Sequence, residues 1–397
     1  MAKESSSNGL EKRPKLRFPG FHEPYKKCRI GDIYAERSQR GASDMELLSV
    51  TMNDGVMPRS EIEGKDNSSE DKSNYKVVLT GDMVYNSMRM WQGANGIAPC
   101  DGIVSPAYTV LMPKIPISNG YFAALFKSTN LINEFRKNSQ GMTSDTWNLK
   151  YPQIETIKVC IPTLSEQERI ADMLGTLEQR IAKQAQLVDS LKKYKRGLVN
   201  DVFSQRIATY SERDEWTISP FGEVVTINPK TGSLPDEFIY LDLECVNSGK
   251  ICAINIIKRE NAPSRAQRLL EKNDVLYQMV RPYQQNNYYY ANTFPFPIVA
   301  STGYAQIKCG ACDPLFVYEQ ISSERFAKEA MLRSTGTSYP AINAEDLGEI
   351  PFFLPSIHIQ KKIGTFLSLV NQKIFKSEEK LQLLKSAKSS LLQQLFI

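Results

Sequence analysis

Histidine is scarce in this sequence, and the motifs of most enzyme classes are missing. The 397 residues include two histidines, His22 and His358, and neither has a nucleophile nearby in sequence with which to form a catalytic pair. Walker phosphate loops, Gly-x-Gly-x-x-Gly turns and His-Glu-x-x-His zinc motifs are absent as well. The sequence therefore predicts a chain that has no catalytic residues of its own.

Long apolar runs are also missing, since no stretch approaches the roughly 20 residues of a bilayer-spanning helix, and the N-terminus lacks a signal-peptide core. The seven cysteines are odd in number and scattered, which is typical of reduced thiols. Cys309 and Cys312 would need two further ligands to hold zinc, so we interpret them as structural and expect no metal site. These features predict a soluble, cytoplasmic protein, and the net charge of +5 permits a polyanionic partner without requiring one.

A long repeat is the most informative feature of the sequence. Residues 161–203 and 354–396 align without a gap at an offset of 193, which is 354 minus 161. A repeat of this size indicates a duplicated domain. Further upstream, residues 80–93 match residues 272–285 at an offset of 192, which pairs Asp82 with Asp274, Tyr85 with Tyr277, Arg89 with Arg281, Trp91 with Tyr283 and Gln92 with Gln284.

The repeat divides the chain into two globular domains that alternate with two long helices. Short β-rich apolar runs broken by glycine, proline and asparagine predict an α+β fold for each domain. Candidate helices lie at 120–137 and 315–332, and the polar stretch 204–215 is interpreted as a linker. The predicted bounds are 1–155 for the first domain, 156–206 for the first helix, 207–350 for the second domain and 351–397 for the second helix.

Both long helices carry apolar residues on a 3.5-residue period, which predicts an intramolecular coiled coil. A parallel pair would set Lys195 against Lys388 inside the seam, and these like charges favour the antiparallel arrangement. An antiparallel register whose residue numbers sum to 572 sets Gln184 against Lys388 and Lys195 against Ser377. The predicted seam consists of Leu177, Ile181, Gln184, Val188, Leu191, Lys195, Leu198, Ile374, Ser377, Leu381, Leu384, Lys388, Leu391 and Leu395. The alternative is that each helix packs only on its own domain.

Polar, basic and aromatic residues recur in turns at equivalent positions of the two domains. Arginine pairs well with guanine, asparagine and glutamine pair with adenine, and aromatic rings pack on bases, sugars or thymine methyl groups. Solvated loops without a ligand are the alternative interpretation. The candidate DNA-binding residues are Arg37, Gln39, Arg40, Arg89, Trp91, Gln92, Asn95, Arg281, Tyr283, Gln284, Gln285, Asn287, Ser338 and Tyr339.

The motifs "KLRFPGF" and "IPTLSEQERIADMLGTLEQRI", with the degenerate second copy ending in "SLLQQLF", resemble the specificity subunits of type I restriction-modification systems. The resemblance covers essentially the whole chain. It implies two target-recognition domains that read a bipartite, asymmetric site on double-stranded DNA, held apart by the paired helices. It also implies two methyltransferase subunits and two restriction/translocase subunits as partners, which would supply S-adenosylmethionine, ATP and Mg²⁺ chemistry, whereas this chain would bind no cofactor.

The second copy departs from the motif, because "SIHIQKK" stands where the first has "TLSEQER", and docking of the second methyltransferase is expected to differ. Two other functions remain open at this point. The chain could be a non-catalytic scaffold for protein partners, or a self-sufficient methyltransferase. The second needs an adenine-binding motif, but Asn228 and Pro229 are followed by Lys230 and not by the Pro-Pro-aromatic run of amino-methyltransferases.

Overall fold

The computed structural model describes residues 14–41, 44–52, 55–66, 68–143, 146–203, 216–291 and 294–396, and the predicted linker at 204–215 lies outside them. Contacts divide the chain into two units. Unit 1 comprises Met1–Ala185 with Lys380–Ile397, and unit 2 comprises Gln186–Glu379. The units divide inside the long helices, so the predicted domain bounds stay a prediction. Within the described ranges, no helix is long and apolar enough to cross a membrane.

In its described residues, unit 1 contains ten short strands and the helices that connect them. The helices are α1 (Ile30–Ile33), α2 (Asn119–Leu125), α3 (Thr129–Asn138), α4 (Tyr151–Ile154) and α5 (Leu164–Phe203), the last of which ends in unit 2. The strands are β1 (Lys26–Arg29), β2 (Tyr34–Glu36), β3 (Leu48–Val50), β4 (Val56–Pro58), β5 (Lys76–Val78), β6 (Met83–Asn86), β7 (Asn95–Ile97), β8 (Gly102–Val104), β9 (Tyr108–Pro113) and β10 (Lys158–Ile161).

Unit 2 repeats this order of elements with one insertion. The helices are α6 (Phe221–Val224), α7 (Pro314–Ile321), α8 (Glu324–Leu332), α9 (Ala344–Gly348) and α10 (Ile357–Leu395). The strands are β11 (Thr217–Pro220), β12 (Thr226–Ile227), β13 (Glu237–Leu241), β14 (Val246–Asn247), β15 (Lys250–Ile251), β16 (Asn255–Lys258), β17 (Ala266–Leu269), β18 (Val275–Gln278), β19 (Tyr288–Tyr289), β20 (Ile298–Ser301), β21 (Tyr304–Lys308) and β22 (Pro351–Leu354).

The sheet topologies of the two units correspond strand by strand. The order β2-β9-β6-β7 in unit 1 matches β12-β21-β18-β19 in unit 2, and the pair β1-β10 matches β11-β22. The four-stranded sheet β16-β13-β20-β17 has its counterpart in β3-β4 and β5-β8, which a parallel bridge between Leu47 and Ile103 connects. The inserted hairpin of unit 2 is β14-β15. The predicted α+β fold and the internal repeat are therefore confirmed.

The ends of the long helices are part of the cores of the globular units. In unit 1, Ile170 and Leu174 of α5 share a buried cluster with Phe122, Leu395 and Phe396. Phe396 lies edge-on to Tyr121 with ring centroids 5.4 Å apart, although the two residues are far apart in sequence. Burial of one such side chain stabilises a fold by about 1.5–3 kcal/mol, so the C-terminal helix end contributes to the stability of unit 1.

The two long helices are antiparallel within each unit. In unit 1, the Lys388 Nζ lies 2.6 Å from Glu178 Oε1, and in unit 2 the Lys192 Nζ lies 2.8 Å from Glu378 Oε1. In unit 1, Leu395 of α10 also shares a buried cluster with Ile170 and Leu174 of α5, and in unit 2 Leu367 shares one with Val199. Within each unit, residue numbers thus rise along α5 as they fall along α10, and the predicted orientation is confirmed. The Lys195 side chain extends from α5 to α7, where its Nζ lies 2.9 Å from Glu319 Oε2. The residue-by-residue register of the predicted seam stays a prediction.

The candidate helices at 120–137 and 315–332 are each broken into two, which corrects the sequence-based expectation. Ser128 has an extended backbone and its side chain accepts a hydrogen bond from Leu131 N, and Ser323 does the same for Phe326 N. Serine in this conformation ends one helix and begins the next, because its hydroxyl satisfies an unpaired amide of the first turn. The result is α2 with α3 in unit 1 and α7 with α8 in unit 2.

Candidate nucleic-acid interface

A short helical turn at Met90–Gln92 displays the first candidate residues in unit 1. Met90 is fully buried and anchors the turn, whereas the preceding Arg89 is exposed. The Trp91 Nε1 donates a hydrogen bond to the Met88 carbonyl at 3.1 Å, which fixes the indole half-buried at the surface. Gly93 closes the turn with φ of 87°, a conformation in which a Cβ would be strained. The turn therefore presents a guanidinium and an indole side by side.

A second segment of unit 1 packs against this turn. The Leu149 N donates to the Ser87 carbonyl at 2.8 Å, and this contact brings Trp147 edge-on to Trp91 with centroids 5.2 Å apart. The guanidinium carbon of Arg136, which is exposed, lies 5.3 Å from the centroid of the Trp147 ring. Trp91, Trp147 and Arg136 form a group that we call the indole cluster. Such a group offers flat apolar surface next to positive charge, which suits sugars and bases.

Unit 2 places a related group at the equivalent point of its fold. The Arg281 N donates to the Pro340 carbonyl at 2.7 Å, and the guanidinium carbon lies 4.2 Å from the centroid of the Tyr339 ring. Tyr339 is 65% exposed and Tyr283 is 54% exposed, so both rings are available to a ligand. The segments that carry Trp147 and Tyr339 correspond, because Ile342 N donates to the Met279 carbonyl as Leu149 N does to the Ser87 carbonyl. The side chains of the two groups differ although their segments occupy equivalent places.

The backbone of the unit 2 turn is held in an unusual conformation. Arg281 and Gln285 have φ of 55° and 51°, values that non-glycine residues rarely adopt. The Gln278 side chain fixes the turn, because its Nε2 donates to Gln284 Oε1 at 2.8 Å and its Oε1 accepts from Asn286 N at 3.1 Å. The Arg281 Nε is buried and has no hydrogen-bond partner among the residues that the structure describes. Strain and an unpaired donor at one turn are typical of functional sites.

Three candidate residues are tied into the protein itself. The Arg37 Nε lies 2.6 Å from Asp82 Oδ2, and this carboxylate is 3% exposed. Asn95 is fully buried and its Nδ2 donates to the Gly93 carbonyl, while Asn287 is 1% exposed and its Oδ1 accepts from Gln278 N at 2.9 Å. These side chains stabilise turns and strands of the protein itself and do not belong to the surface that could contact DNA.

The other candidates divide into two groups. Gln92, Gln284, Gln285 and Ser338 lie on the same segments as the indole cluster or the Arg281–Tyr339 pair. Gln39 and Arg40 are exposed beside β5, where the Gln39 carbonyl accepts from Val77 N. Among the residues described, no hydrogen bond or ring contact joins Gln39 or Arg40 to Arg89 or Trp91. The structure thus brings together most, but not all, of the predicted set.

Sequence reasoning missed Trp147 and Arg136 as site residues. Their proximity to Trp91 depends on the backbone contact between Leu149 and Ser87, which residue types do not reveal. One signal was available, because the segment around Trp147 has its counterpart around the candidate Tyr339. An aromatic residue in both copies of a repeated segment is thus a better guide to this surface than polarity alone.

Cys309 is buried and Cys312 is half-buried, and burial raises the pKa of the Cys309 thiol to about 12. Burial likewise raises the pKa of Cys312. A thiol with a raised pKa is protonated at neutral pH and is a poor metal ligand or nucleophile. Within the described ranges, no group of three or more histidine, cysteine, aspartate or glutamate side chains is arranged to hold a metal ion.

Comparison with known families gives these surfaces a context. The family model described as type I restriction modification DNA specificity domain matches residues 23–193 and again residues 213–385. The chain belongs to this family of type I DNA-specificity subunits. Its two matched segments correspond to the two halves of the structural repeat, and the predicted family is confirmed. The specificity-subunit family is non-catalytic, in agreement with the prediction that this chain is not itself an enzyme.

Relatives of this specificity subunit include two archaeal proteins of Methanocaldococcus jannaschii. The type I restriction enzyme MjaVIII specificity subunit is 24% identical over 343 residues, which cover 80% of each chain. The putative type I restriction enzyme MjaX specificity subunit is 22% identical over 355 residues, which cover 82% of this chain and 79% of the relative. Recognition of DNA in type I restriction-modification is thus the established role of the family to which the chain belongs.

Solved structures support the fold. The type I S subunit from M. genitalium has a TM-score of 0.61 at 17% sequence identity, and the match covers 97% of this chain and 99% of that chain. A chain from a structure of the type I R-M system has a TM-score of 0.56 at 15% identity and covers 94% of this chain and 98% of that chain. At these identities the likeness bears on the fold alone.

Proposed function

We propose that the subunit reads a bipartite, asymmetric DNA site, with one half-site contacted by each unit. The observation that carries this proposal is the recurrence of an arginine with aromatic rings at the surface, at one place in a duplicated fold. The identities of the side chains differ, with two indoles and Arg136 in unit 1 against Arg281, Tyr283 and Tyr339 in unit 2. Two equivalent surfaces with different side chains are what two different half-sequences require.

Specific side chains can be assigned roles in this reading. Arg89 and Arg281 are suited to the O6 and N7 atoms of guanine, and Gln92 and Gln285 to adenine. Trp91, Tyr283 and Tyr339 would pack on sugars, bases or thymine methyl groups, while Gln39, Arg40, Gln284 and Ser338 would contact phosphates or base edges.

The long helices would set the distance between the half-sites. A 40-residue helix such as α5 is about 60 Å long at 1.5 Å per residue. A stiff connection raises the effective concentration of the second unit at its half-site only when the unread gap has the right length. The gap length is therefore a property of the coil and not of the reading surfaces.

Lengthening the coil is expected to lengthen the unread gap. One heptad inserted into both α5 and α10 preserves the 3.5-residue seam and adds about 10 Å, or roughly three base pairs at 3.4 Å each. The gap in the methylated motif, read by single-molecule sequencing of DNA from cells expressing the variant with its methyltransferase, should grow by that amount. A variant in which one heptad is exchanged for another of equal length serves as the control. An unchanged gap in the lengthened variant would contradict the proposal.

Two methyltransferase subunits would dock on the helices, and two restriction/translocase subunits would join them. These partners would bind S-adenosylmethionine, ATP and Mg²⁺. On α10, Phe366 and Leu369 are 48% and 56% exposed, and Lys362, Lys373 and Lys376 continue their face at spacings of three or four residues. This face lies outside the seam and combines apolar and basic groups, which suits an amphipathic partner helix with acidic residues.

Two acidic substitutions on this face of α10 are expected to release the methyltransferase. Phe366→Glu with Leu369→Glu replaces exposed apolar surface with two carboxylates, so the folding of the subunit should be unaffected while methyltransferase binding falls by at least a hundredfold. The affinity is measured by calorimetry on the purified subunits. The matched control is Ser386→Glu with Ser389→Glu, two exposed positions of the same helix with the same spacing that lie at least ten residues beyond this face. Equal affinity for both variants and the unmodified chain would exclude this docking face.

A further inference from the structure

Two cations occupy equivalent positions in the duplicated sheets. Lys76 of β5 and Arg268 of β17 differ by 192 in number, the offset that also relates Asp82 to Asp274. Lys76 lies opposite Val104 of β8, and Arg268 lies opposite Ala300 of β20. The two side chains therefore extend from the same face of corresponding sheets, and their surroundings can be compared directly.

Lys76 is neutralised inside unit 1. Its side chain is 10% exposed, and its Nζ donates to the Tyr108 carbonyl at 2.8 Å and lies 3.4 Å from Glu36 Oε1. Burial of an ammonium group is costly unless such partners replace the lost water. Lys76 is thus paired with the Glu36 carboxylate and the Tyr108 carbonyl of its own unit and needs no ligand.

Among the residues that the structure describes, no carboxylate acts as such a counter-ion for Arg268. The position of Glu36 in the sheet corresponds to Ile227, because Glu36 pairs with Leu111 and Ile227 pairs with Ile307 in matching strand pairs. The Arg268 side chain is half-buried, and its Nε is buried without a hydrogen-bond partner among the residues described. Burial lowers the pKa of Arg268, the direction expected for a cation that has lost water and gained no carboxylate.

Arg268 lies on an edge strand. β17 is the last strand of its sheet, and the register shifts between Ala266 and Arg268, which marks a β-bulge at Gln267. A bulge bends an edge strand and redirects its side chains. Ala300, which pairs with Arg268, belongs to a buried apolar cluster, and Arg268 beside it is half-buried, so part of the arginine stays open to solvent.

We propose that Arg268 binds a backbone phosphate of the DNA half-site that unit 2 reads. The planar guanidinium fork matches phosphate oxygens, and a phosphate would supply the charge that Glu36 supplies in unit 1. Because the stem and Nε are buried, the terminal nitrogens have little reach beyond the surface, which fits the outermost groups of a duplex better than base edges inside a groove. The proposal rests on the proposed function, since it takes the DNA contacted by unit 2 as the ligand.

Substitution of Arg268 tests this assignment. The affinity of the complete methyltransferase complex is measured at several salt concentrations, on its specific duplex and on an unrelated duplex. Arg268→Gln should weaken binding to both duplexes by about tenfold, which is the effect expected from the loss of one charge-assisted hydrogen bond. It should also reduce the slope of log affinity against log salt concentration by about one. Arg268→Lys should retain most of the affinity. Arg325→Gln is the control, because Arg325 is also half-buried but lies 4.0 Å from the Phe353 ring and donates to the Pro351 carbonyl.

A second variant adds the missing carboxylate. Ile227→Glu should pair with Arg268 as Glu36 does with Lys76, and should weaken DNA binding when Arg268 is present but not in the Arg268→Gln background. Ile227→Gln controls for altered packing, and thermal unfolding shows whether each variant is folded. An unchanged salt slope in Arg268→Gln, a change confined to one base position, or lost methyltransferase binding would each overturn the proposal. If the unmodified complex selects no two-part site, the proposed function has failed instead.

Discussion

Replacing Arg17 with alanine is expected to destabilise unit 1 by about 3 kcal/mol, at the lower end of the range for breaking a buried ion pair. Glu166 is fully buried at the start of α5, and its two carboxylate oxygens lie 2.9 Å and 2.8 Å from Arg17 Nε and Nη2. The Tyr25 hydroxyl donates to the same carboxylate at 3.3 Å. Without the guanidinium, the carboxylate remains buried with one neutral partner, which is the source of the loss.

Hydrogen exchange followed by mass spectrometry locates this effect. Peptides of unit 1 should exchange faster in Arg17→Ala, while peptides from 221–354 in unit 2 should exchange at the rate of the unmodified chain. Arg40→Ala is the control, because Arg40 is exposed and its side chain donates a long hydrogen bond of 3.4 Å to Asn74. Normal exchange in unit 1 together with lost methyltransferase binding would show that this motif is a docking surface and not an internal clamp.

The internal role of Glu166 bears on the second copy of the "TLSEQER" motif, which is "SIHIQKK". Ile359 stands where the first copy has Glu166, and the sequence suggested that docking of the second methyltransferase would differ for that reason. In unit 1 the carboxylate is used internally by Arg17 and Tyr25. Gln167 and Gln360 are kept in both copies, and each donates to the carbonyl of a proline, Pro162 or Pro355, before its helix. The retained glutamine therefore serves the fold of both units.

Replacing Arg281 with alanine is expected to relax one base position in one half-site only. A bidentate arginine–guanine pair discriminates against the wrong base by roughly ten- to a hundredfold, and the other half-site is read by a separate unit. Arg89→Ala should have the same effect on the opposite half. The methylated motifs of both variants are compared after sequencing of DNA from cells that express each with its methyltransferase.

The matched control for Arg281→Ala is Arg333→Ala. Arg333 lies one residue after α8 and is paired with Glu329, so its loss should leave both half-sites unchanged. Tyr339→Leu removes the ring on which Arg281 rests and should affect the same half-site as Arg281→Ala. If Arg281→Ala and Arg89→Ala altered the same half-site, or altered both halves equally, the assignment of one half-site to each unit would be wrong.

The sequence predicted the order of domains and helices well, because each motif occurs in both copies of the repeat. The offset of 192 that relates Asp82 to Asp274 marks corresponding turns, and both carboxylates accept a backbone hydrogen bond there, from Leu79 N and Glu271 N. Helix periodicity likewise predicted the helix pair, and the like charges of Lys195 and Lys388 predicted its antiparallel orientation. The breaks at Ser128 and Ser323 were missed, because the apolar period continues through them and one serine decides where each helix stops.

The candidate surface was harder to predict from residue types. Asparagine in a turn can face a ligand or hold its own backbone, and Asn95 and Asn287 do the latter. Arg37 resembled a phosphate ligand in the sequence, but it pairs with the buried Asp82. Exposure depends on contacts between residues that are distant in the chain, such as Leu149 with Ser87 or Arg281 with Pro340, and one sequence does not reveal these contacts.

The central claim is that two units of one chain read two halves of one site. The most direct test is to express the chain with its methyltransferase subunit and to map N6-methyladenine across the host genome by single-molecule sequencing, with and without the chain. The account predicts a two-part motif with a fixed unread gap that disappears when the chain is omitted. A single continuous motif, or methylation that persists without the chain, would contradict it.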